Sequence, residues 1–303
     1  MKVLLIGYGS IGKRHFEILK NLKIVSQIDL VTKQNIEQVK CFKALGDVSE
    51  LESYDYFVIS SETVKHYEQL RYLCSKVKNK RILVEKPLYD KTHEDISLNN
   101  IVYTAYNLRF HPVLVQLKKL LEGEKIYYAN VFCGQYLPNW RPGRNYQESY
   151  SADSKKGGGV LRDLSHELDY TNWLFGKLQK IDAISTKVSD LKIRSDDIFT
   201  AVGVTENKVI VNLTMDYLSK HPIRKLIVHT QNLTVEADVI NYTIRTSDKA
   251  GTLNETVLDS VDRNYTYSKM HEAIIGGGDT LACGFLEGMS VVNTINAVKF
   301  KEL

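Results

Sequence analysis

Short apolar runs alternate with helix-like patterns in the first third of the chain. Four runs are typical of buried strands, and two segments repeat apolar residues at helical spacing. The predicted strands cover residues 3–6, 28–32, 56–60 and 82–84, and the predicted helices cover 11–22 and 64–73. Strands that alternate with helices form a parallel sheet covered on both faces, and such a sheet binds its ligand at the carboxyl ends of its strands.

The pattern changes after Asn107. Pro112 begins a predicted helix that ends at Leu121, and longer strands follow in which apolar and polar residues alternate. These strands cover residues 126–132, 198–205, 209–217 and 223–230. The alternation predicts a largely antiparallel sheet with one covered face. We therefore expect an α/β protein of two domains, with a doubly wound parallel sheet in residues 1–107 and a second domain in residues 108–303.

The composition is that of an ordinary globular protein. Of the 303 residues, 43% are hydrophobic and 25% are charged, and the formal net charge is +4, which excludes collagen-like and wholly disordered classes. Because no apolar run reaches the roughly 18 residues of a membrane-spanning helix and the basic excess is mild, we expect neither a membrane nor a nucleic-acid partner. The apolar run that begins at Met1 is shorter than that of a secretory signal, and the four scattered cysteines show no metal-ligand spacing, so we expect a cytoplasmic protein without a metal site.

A glycine-rich turn follows the first predicted strand. In Gly7-Tyr8-Gly9-Ser10-Ile11-Gly12, the first glycine permits a tight turn, the second lets a pyrophosphate approach the backbone, and the third lets helix and strand pack closely. The motif therefore predicts a dinucleotide site. The second predicted strand leads to Thr32 and Lys33 rather than to a carboxylate, so we expect NAD(P), with a slight preference for NADP, whose 2′-phosphate suits a hydroxyl and a cation. A solvated loop is the alternative interpretation of Lys33.

Two further segments carry candidate catalytic chemistry. Glu85-Lys86-Pro87 ends the fourth predicted strand, where Lys86 projects either into the ligand crevice or into solvent. Gly157-Gly158-Gly159 leads into a predicted helix on which Asp163 and His166 share one polar face. A carboxylate one turn from an imidazole can orient it and raise its basicity, as a general base requires, although a solvated helix face has the same spacing.

The segment that precedes this helix, residues 135–146, is rich in aromatic residues and arginine. The ring of Trp140 could stack on the apolar face of a sugar, and the guanidinium groups of Arg141 and Arg144 suit carboxylates or phosphates. The pattern is compatible with an acidic or nucleotide-linked sugar as the ligand. A structural loop or a subunit contact is the alternative.

In their order along the chain, these motifs resemble the Gfo/Idh/MocA oxidoreductases, a family named for glucose-fructose oxidoreductase and inositol dehydrogenase. The resemblance covers essentially the whole chain. It rests on the glycine turn, Ser60-Ser61-Glu62-Thr63-Val64-Lys65-His66, Glu85-Lys86-Pro87, Tyr106-Asn107-Leu108-Arg109-Phe110-His111-Pro112 and the triple-glycine helix. It implies an NAD(P)-binding Rossmann domain, a C-terminal substrate-binding and oligomerisation domain with an open sheet, a sugar or cyclitol substrate, and a homodimer or homotetramer. Within the family, residues 135–146 and the Ser165-His166-Glu167-Leu168-Asp169 form of the helix resemble members from surface-polysaccharide and acidic-sugar pathways.

The resemblance also implies roles for individual residues. Lys86 would contact both nicotinamide and substrate, Asp163 would bind a substrate hydroxyl, and His166 would be the acid/base. Five further residues would contact the cofactor: Ser60, Ser61, His66, Glu85 and Asn107. Arg109 would contact the substrate.

The chain departs from the family pattern at two positions. The pattern D-x-G-x-H places the aspartate and the histidine four residues apart, whereas Asp163 and His166 are three apart and Ser165 replaces the glycine. On one continuous helix this rotates His166 by about 100 degrees relative to Asp163, which puts one of the two roles in question. Glu62 stands where many members have proline, which affects only a local cofactor contact.

The leading hypothesis is an NAD(P)-dependent dehydrogenase that moves a hydride between nicotinamide and a hydroxyl-bearing carbon of a sugar-like substrate. His166 would exchange the hydroxyl proton, and Lys86 would stabilise the alkoxide. One alternative is a cofactor- or sugar-sensing binding protein without turnover, which the altered Asp163–His166 spacing favours. Another is a redox-assisted lyase or glycosidase that reduces its cofactor only transiently.

Overall fold

A computed structural model describes residues 1–141, 143–277 and 281–300 of the chain. The chain forms two compact units. Unit 1 contains Met1–Phe110 and Val261–Val292, and unit 2 contains His111–Ser260 and the described residues from Asn293 onward. The sequence analysis assigned everything after residue 107 to one domain, whereas the segment Val261–Val292 belongs to the first unit.

Unit 1 is built on a seven-stranded sheet. Its strands are β1 (Lys2–Ile6), β2 (Gln27–Val31), β3 (Cys41–Phe42), β4 (Tyr56–Ile59), β5 (Arg81–Val84), β6 (Ile101–Thr104) and β15 (Cys283–Gly284). The order is β15-β6-β5-β4-β1-β2-β3, and all neighbours are parallel except β15 and β6. The helices of this unit are α1 (Ser10–Asn21), α2 (His66–Lys76), α6 (Tyr265–Gly276) and the first part of α7 (Phe285–Ala297). This is the parallel, doubly wound arrangement that the alternating pattern predicts.

Helix α6 joins unit 1 because its apolar face completes the core there. Met270 and Ile274 pack in the cluster that contains Val3, Leu5 and Leu83 of the central strands. Burial of these side chains removes apolar surface from water, which is the main favourable term in folding. The sequence carries no local signal that the chain comes back to unit 1 at α6, because the apolar pattern of this helix is compatible with packing on either unit.

Unit 2 is built on an eight-stranded sheet. Its strands are β7 (Ile126–Gly134), β8 (Leu178–Thr186), β9 (Ile198–Thr205), β10 (Ile210–Asp216), β11 (Ile223–Thr230), β12 (Leu233–Asp238), β13 (Thr243–Asp248) and β14 (Leu253–Val257). The order is β14-β13-β12-β11-β7-β10-β9-β8, and every neighbouring pair except β7 and β10 is antiparallel. The predicted largely antiparallel sheet is confirmed.

Alternation along the strands separates the two faces of this sheet. In β10, Val211, Leu213 and Met215 are buried. The helices α3 (Pro112–Leu121), α4 (Val160–Asp163) and α5 (His166–Phe175) contact strands of the sheet. Large apolar side chains remain exposed at Ile184 on β8, at Val202 and Val204 on β9, and at Ile210, the first residue of β10.

The predicted helix after the three glycines is broken in two. Helix α4 ends at Asp163, Leu164 leaves the helical region with φ −96° and ψ 25°, and α5 starts at His166. Asp163 and His166 therefore lie on different helices, and the predicted single polar face does not exist. The expectation of a solvated face was wrong as well, because Asp163, Asp169 and Tyr170 are buried.

Helices long and apolar enough to span a bilayer do not occur within the described part of the chain.

Candidate functional site

The glycine turn has the strained geometry that its sequence predicts. Gly7 has a φ of +95°, and a Cβ there would lie 2.7 Å from the Ser61 nitrogen. A Cβ on Gly12 would lie 2.3 Å from the Gly7 carbonyl oxygen. Only glycine fits at both positions, because a side chain would displace backbone atoms of the residues that directly follow β1 or β4.

Gly9 differs from these two glycines because its side-chain direction opens into empty space. No described atom lies within 4 Å of a Cβ built there. Gly9 is also the N-cap of α1, and its first turn has neither a side-chain cap from the described residues nor an acidic residue. Helix N-termini of this kind bind phosphate groups through unpaired N–H donors and the helix dipole. The turn therefore fits the pyrophosphate of NAD(P), as the sequence predicts, with Tyr8, Ser10 and Ile11 completing it.

Two lysines lie near the carboxyl end of β2. Thr32 is buried, and its hydroxyl accepts a hydrogen bond from the Gln34 N–H at 3.2 Å. Lys33 is exposed, and its carbonyl accepts a hydrogen bond from the Lys43 ammonium at 3.2 Å. Sequence reasoning missed Lys43, because it follows β3, ten residues after Lys33.

The ring of His66 lies between the loops that follow β4 and β5. Its ring is buried, with Nε2 3.2 Å from the Ser61 carbonyl and Nδ1 3.2 Å from the carbonyls of Pro87 and Leu88. Burial lowers the pKa of His66, so the ring is neutral at pH 7. Because a neutral imidazole carries a single N–H, His66 donates to the carbonyls on one side only and packs against the loop on the other side. The predicted neighbour Ser60 is buried, and its hydroxyl donates to the carbonyls of Ile6 and Gly7.

A chain of buried polar groups leads to Glu85, the residue before Lys86. His15 Nε2 is 2.8 Å from Glu85 Oε1, and His15 Nδ1 is 2.8 Å from His271 Nε2. His271 Nδ1 is 2.9 Å from the Tyr56 hydroxyl. The backbone N–H of Lys86 donates to Glu85 Oε2 at 3.0 Å. Sequence analysis did not detect this chain, because 256 residues separate its two histidines.

Two other predicted residues of unit 1 are buried. The Asn107 amide donates to the Thr266 hydroxyl at 2.6 Å. Arg109 is 1% exposed, and its guanidinium lies 2.8 Å from Glu287 Oε1. Both side chains thus connect residues 107–109 to the segment Val261–Val292 of the same unit. Their predicted contacts with cofactor and substrate stay predictions.

The predicted arginine-rich segment lines a cavity of about 490 Å³ in unit 2. Trp140, Arg141 and Arg144 all border it, together with Tyr146 and Tyr150. The Nε1–H donor of Trp140 is buried and has no acceptor among the described residues. A buried donor without an acceptor is costly, so a ligand oxygen would satisfy it.

Asp163 lies in a cluster of aromatic residues beside this cavity. The Tyr217 hydroxyl donates to Asp163 Oδ2 at 2.7 Å, and the Trp140 and Tyr217 rings pack edge to face with centroids 5.1 Å apart. Burial and the Asp163 carboxylate raise the pKa of the Tyr150 hydroxyl, which hydrogen bonds to that carboxylate. The sequence predicted Tyr217 only as the last residue of the strand over residues 209–217, because nothing local marks a strand tyrosine as the partner of a carboxylate.

Asp196 supports the start of α4 from a distant part of the chain. Its carboxylate accepts a hydrogen bond from the Leu161 N–H at 3.0 Å, and its carbonyl accepts one from the Val160 N–H. A Cβ on Gly159 would lie 2.0 Å from Asp196 Oδ1, and Gly159 has a φ of +117°. Gly159 is therefore required for the contact that positions α4 and Asp163.

The structure thus groups the predicted residues in two sets. Unit 1 holds the glycine turn, Lys33, His66 and Lys86, at the carboxyl edge of one parallel sheet. Unit 2 holds the cavity residues, Asp163 and His166, the first residue of α5. Within the described ranges, no three His, Cys, Asp or Glu side chains are grouped to hold a metal ion.

Two parts of one family description match most of the chain. The description "Oxidoreductase family, NAD-binding Rossmann fold" matches residues 1–101, and "GFO/IDH/MocA C-terminal domain" matches residues 115–236. An uncharacterized oxidoreductase of Synechocystis sp. is 26% identical over 166 residues, which are 52% of this chain and 44% of that protein. Levoglucosan dehydrogenase of Pseudarthrobacter phenanthrenivorans is 27% identical over 157 residues, 48% of this chain and 40% of that protein. The matches thus span less than half the length of these two relatives.

Solved structures share the fold over nearly the whole chain. A levoglucosan dehydrogenase in complex with NADH and levoglucosan has a TM-score of 0.82 at 16% identity, covering 98% of this chain and 95% of that one. UDP-N-acetylglucosamine 3-dehydrogenase GnnA from Acidithiobacillus ferrooxidans has a TM-score of 0.76 at 18% identity, with 98% and 96% covered. The WlbA dehydrogenase from Bordetella pertussis, in complex with NADH and UDP-GlcNAcA, has a TM-score of 0.75 at 16% identity, with 98% and 94% covered.

The family matches, the parallel sheet with its glycine turn and the largely antiparallel second sheet agree with one another and confirm the expected family and fold. The chain belongs to the Gfo/Idh/MocA oxidoreductase family and carries its NAD-binding Rossmann domain.

Proposed function

We propose that the protein is an NAD(P)-dependent dehydrogenase that acts on a hydroxyl-bearing carbon of a sugar, sugar derivative or cyclitol. The observation that carries this proposal is the carboxyl edge of the unit 1 sheet. There the open Gly9 position after β1 and the cationic Lys86 after β5 belong to one sheet, separated in it only by β4. Dinucleotides bind at this edge in doubly wound sheets.

A nicotinamide cofactor held at the glycine turn would supply the hydride chemistry, and residues of the chain would stabilise charge and transfer protons. His166 takes the proton of the substrate hydroxyl during oxidation and returns it during reduction. The Lys86 ammonium stabilises the negative charge that develops on the alkoxide oxygen. Asp163, held by the Tyr217 hydroxyl, accepts a hydrogen bond from a second substrate hydroxyl.

The cavity of unit 2 favours a substrate with an anionic group. Arg141 and Arg144 supply guanidinium donors, which pair with carboxylates and phosphates in a bidentate fashion. Trp140 adds an apolar ring and its buried N–H donor. An acidic sugar or a nucleotide-linked sugar matches this chemistry. Two structural relatives are in complex with a sugar derivative, levoglucosan, and with a nucleotide-linked sugar, UDP-GlcNAcA.

The cofactor preference that we propose is NADP, because Lys33 follows β2 and the ammonium of Lys43, which follows the neighbouring strand β3, reaches the Lys33 carbonyl. The first experiment is a titration of nucleotide-free protein with NADH and then with NADPH, followed by nicotinamide fluorescence. We expect tighter binding of NADPH, and we expect Lys43→Ala to weaken NADPH binding while leaving NADH binding unchanged. Lys23→Ala, at an exposed lysine near the other end of α1, is the matched control. Tighter binding of NADH would refute the preference.

The catalytic assignment is tested by Lys86→Ala and His166→Ala. Each variant should lower turnover about a hundredfold or more, the usual loss for an acid/base or electrostatic residue, while cofactor binding stays within about twofold of wild type. Lys91→Ala and His229→Ala change exposed residues of the same types and serve as controls. Full activity of both catalytic variants would refute the assignment. Cofactor binding without turnover across acidic, neutral and nucleotide-linked sugars would favour the sensing alternative.

We also propose that a second copy of the chain covers the exposed face of the unit 2 sheet. Val202 is 55% exposed, Val204 38% and Ile210 49%, and Val204 pairs directly with Ile210 across β9 and β10. Contiguous apolar groups of this kind are unusual on a monomer. Val202→Lys should shift the mass in solution, measured by light scattering, towards the monomer, whereas Val188→Lys at a similarly exposed loop position should not. A monomeric wild-type protein would contradict the proposal.

A further inference from the structure

The polar chain that joins Tyr56 to Glu85 has only one arrangement of protons that satisfies its buried groups. The Tyr56 phenol is fully buried, and burial followed by the nearby Tyr103 raises its pKa well above the ordinary value, so its proton stays on. Among the described residues, His271 Nδ1 is the acceptor within reach of that proton. A buried phenol donor without an acceptor would cost free energy, so Tyr56 donates to His271.

This one assignment determines the other protons. Burial and the neighbouring His15 hold the pKa of His271 well below its ordinary value, so the ring is neutral and carries its single proton on Nε2. His271 Nε2–H then donates to His15 Nδ1, which leaves the proton of His15 on Nε2. His15 Nε2–H donates to Glu85 Oε1, while the Lys86 N–H donates to Glu85 Oε2.

Glu85 therefore receives one donor on each oxygen. Because the His15 ring donates to one oxygen and the Lys86 backbone N–H to the other, the two hydrogen bonds together fix the orientation of the carboxyl group. The chain of donors has one direction, from Tyr56 through the two histidines to Glu85. All four side chains are buried, so water does not interrupt it.

We propose that His15 and His271 are positioning residues that orient the Glu85 carboxyl group and thereby fix the turn that presents Lys86. The importance of Lys86 rests on the proposed function. His15 lies on α1, whose N-terminus carries the glycine turn, and Glu85 lies at the end of β5. We call this chain of hydrogen bonds, from Tyr56 through His271 and His15 to Glu85, the relay. It links the helix that would receive the cofactor phosphates to the turn that bears Lys86.

The first test does not depend on activity. In protein labelled with ¹⁵N at histidine, two-bond ¹⁵N–¹H correlation spectra distinguish the ring tautomers. We expect His15 and His271 both as neutral Nε2–H tautomers at pH 7, assigned by their loss in His15→Gln and His271→Gln. An Nδ1–H tautomer or an imidazolium at either residue would overturn the proposed direction of the relay.

The second test separates positioning from stability with a matched pair of variants. The Gln amide of His15→Gln reaches the position of Nε2 and can still donate to Glu85, whereas the shorter side chain of His15→Asn reaches only the position of Nδ1. His15→Asn should lower kcat about tenfold or more, the loss expected for one hydrogen bond to a charged group, and His15→Gln should lower it less. NADH binding should be equal in both. Equal kcat values in the two variants would overturn the positioning role. Absence of turnover in the wild type would refute the proposed function and leave the tautomer test intact.

Discussion

The three glycines of the β1–α1 turn should respond to alanine in different ways, because their surroundings differ. A Cβ on Gly12 would lie 2.3 Å from a backbone oxygen, whereas a Cβ on Gly9 meets no described atom within 4 Å. Gly9 also has an ordinary extended conformation, with φ −75° and ψ −166°. We predict that Gly9→Ala folds normally and binds the cofactor poorly, and that Gly12→Ala loses stability.

The magnitudes follow from the geometry. At the N-cap, alanine is less stabilising than glycine by roughly 1 kcal/mol, and the reduced conformational entropy of the unfolded chain offsets about 0.4–1 kcal/mol of this loss. The free energy of unfolding of Gly9→Ala should therefore lie within about 1 kcal/mol of the wild-type value. The new methyl group occupies the approach of the pyrophosphate to the helix N-terminus. Loss of one or two hydrogen bonds to a charged phosphate corresponds to about a 10- to 100-fold weaker Kd. The contact at Gly12 involves backbone atoms, so overpacking should cost about 1–3 kcal/mol or more.

The assay combines thermal unfolding with nicotinamide fluorescence titration of the nucleotide-free protein. Gly46→Ala is the control, because Gly46 lies in unit 1, has open space around its Cβ and is remote in sequence from the glycine turn. Gly46→Ala should match wild type in both measurements. Wild-type cofactor affinity in Gly9→Ala would refute the assignment of this turn as the phosphate site. A Gly12→Ala variant as stable as Gly9→Ala would refute the packing argument.

Two further predictions concern unit 2. Tyr217→Phe removes the hydroxyl that donates to Asp163. We expect kcat/KM for the substrate to fall about tenfold or more while cofactor affinity is unchanged. An unaltered kcat/KM would contradict this role. Burial raises the pKa of Asp196 to about 6 from 3.8, so the unfolded chain releases this proton first as pH rises. The free energy of unfolding should therefore decrease between about pH 4 and pH 6, by up to about 3 kcal/mol, and this decrease should be absent in Asp196→Asn when urea unfolding is followed across that range.

Periodicity in the sequence predicted most of the fold because the physics behind it is local. Residues 198–205 and 223–230 were predicted as strands and have those bounds in the structure, since alternating burial determines both the strand and its faces. The glycine turn was predicted for the same reason: steric limits act between adjacent residues. The return of α6 to unit 1 was not predictable, because it depends on which of two cores its apolar face enters.

The candidate site was predicted in part, and the missing part consists of contacts between residues that are distant in sequence. Trp140, Arg141 and Arg144 are neighbours in the chain, and the structure places them around one cavity. The partners that hold the key side chains come from elsewhere: Tyr217 contacts Asp163, and His271 contacts His15. A lone buried histidine in a sequence is indistinguishable from a core residue, so only the folded chain reveals these contacts.

The break between α4 and α5 changes the meaning of the short spacing between Asp163 and His166. The expected rotation of about 100 degrees assumes a continuous helix, in which each residue turns the chain by a fixed angle. Here Leu164 leaves the helical region, and the Ser165 N–H donates to the Arg162 carbonyl, three residues back. The fixed angle per residue therefore does not apply across the break. The Asp196 contacts fix where α4 begins, and the new first turn of α5 fixes His166. The shortened spacing is therefore no argument against both residues acting on one substrate, and the activity of His166→Ala decides the question independently of Asp163.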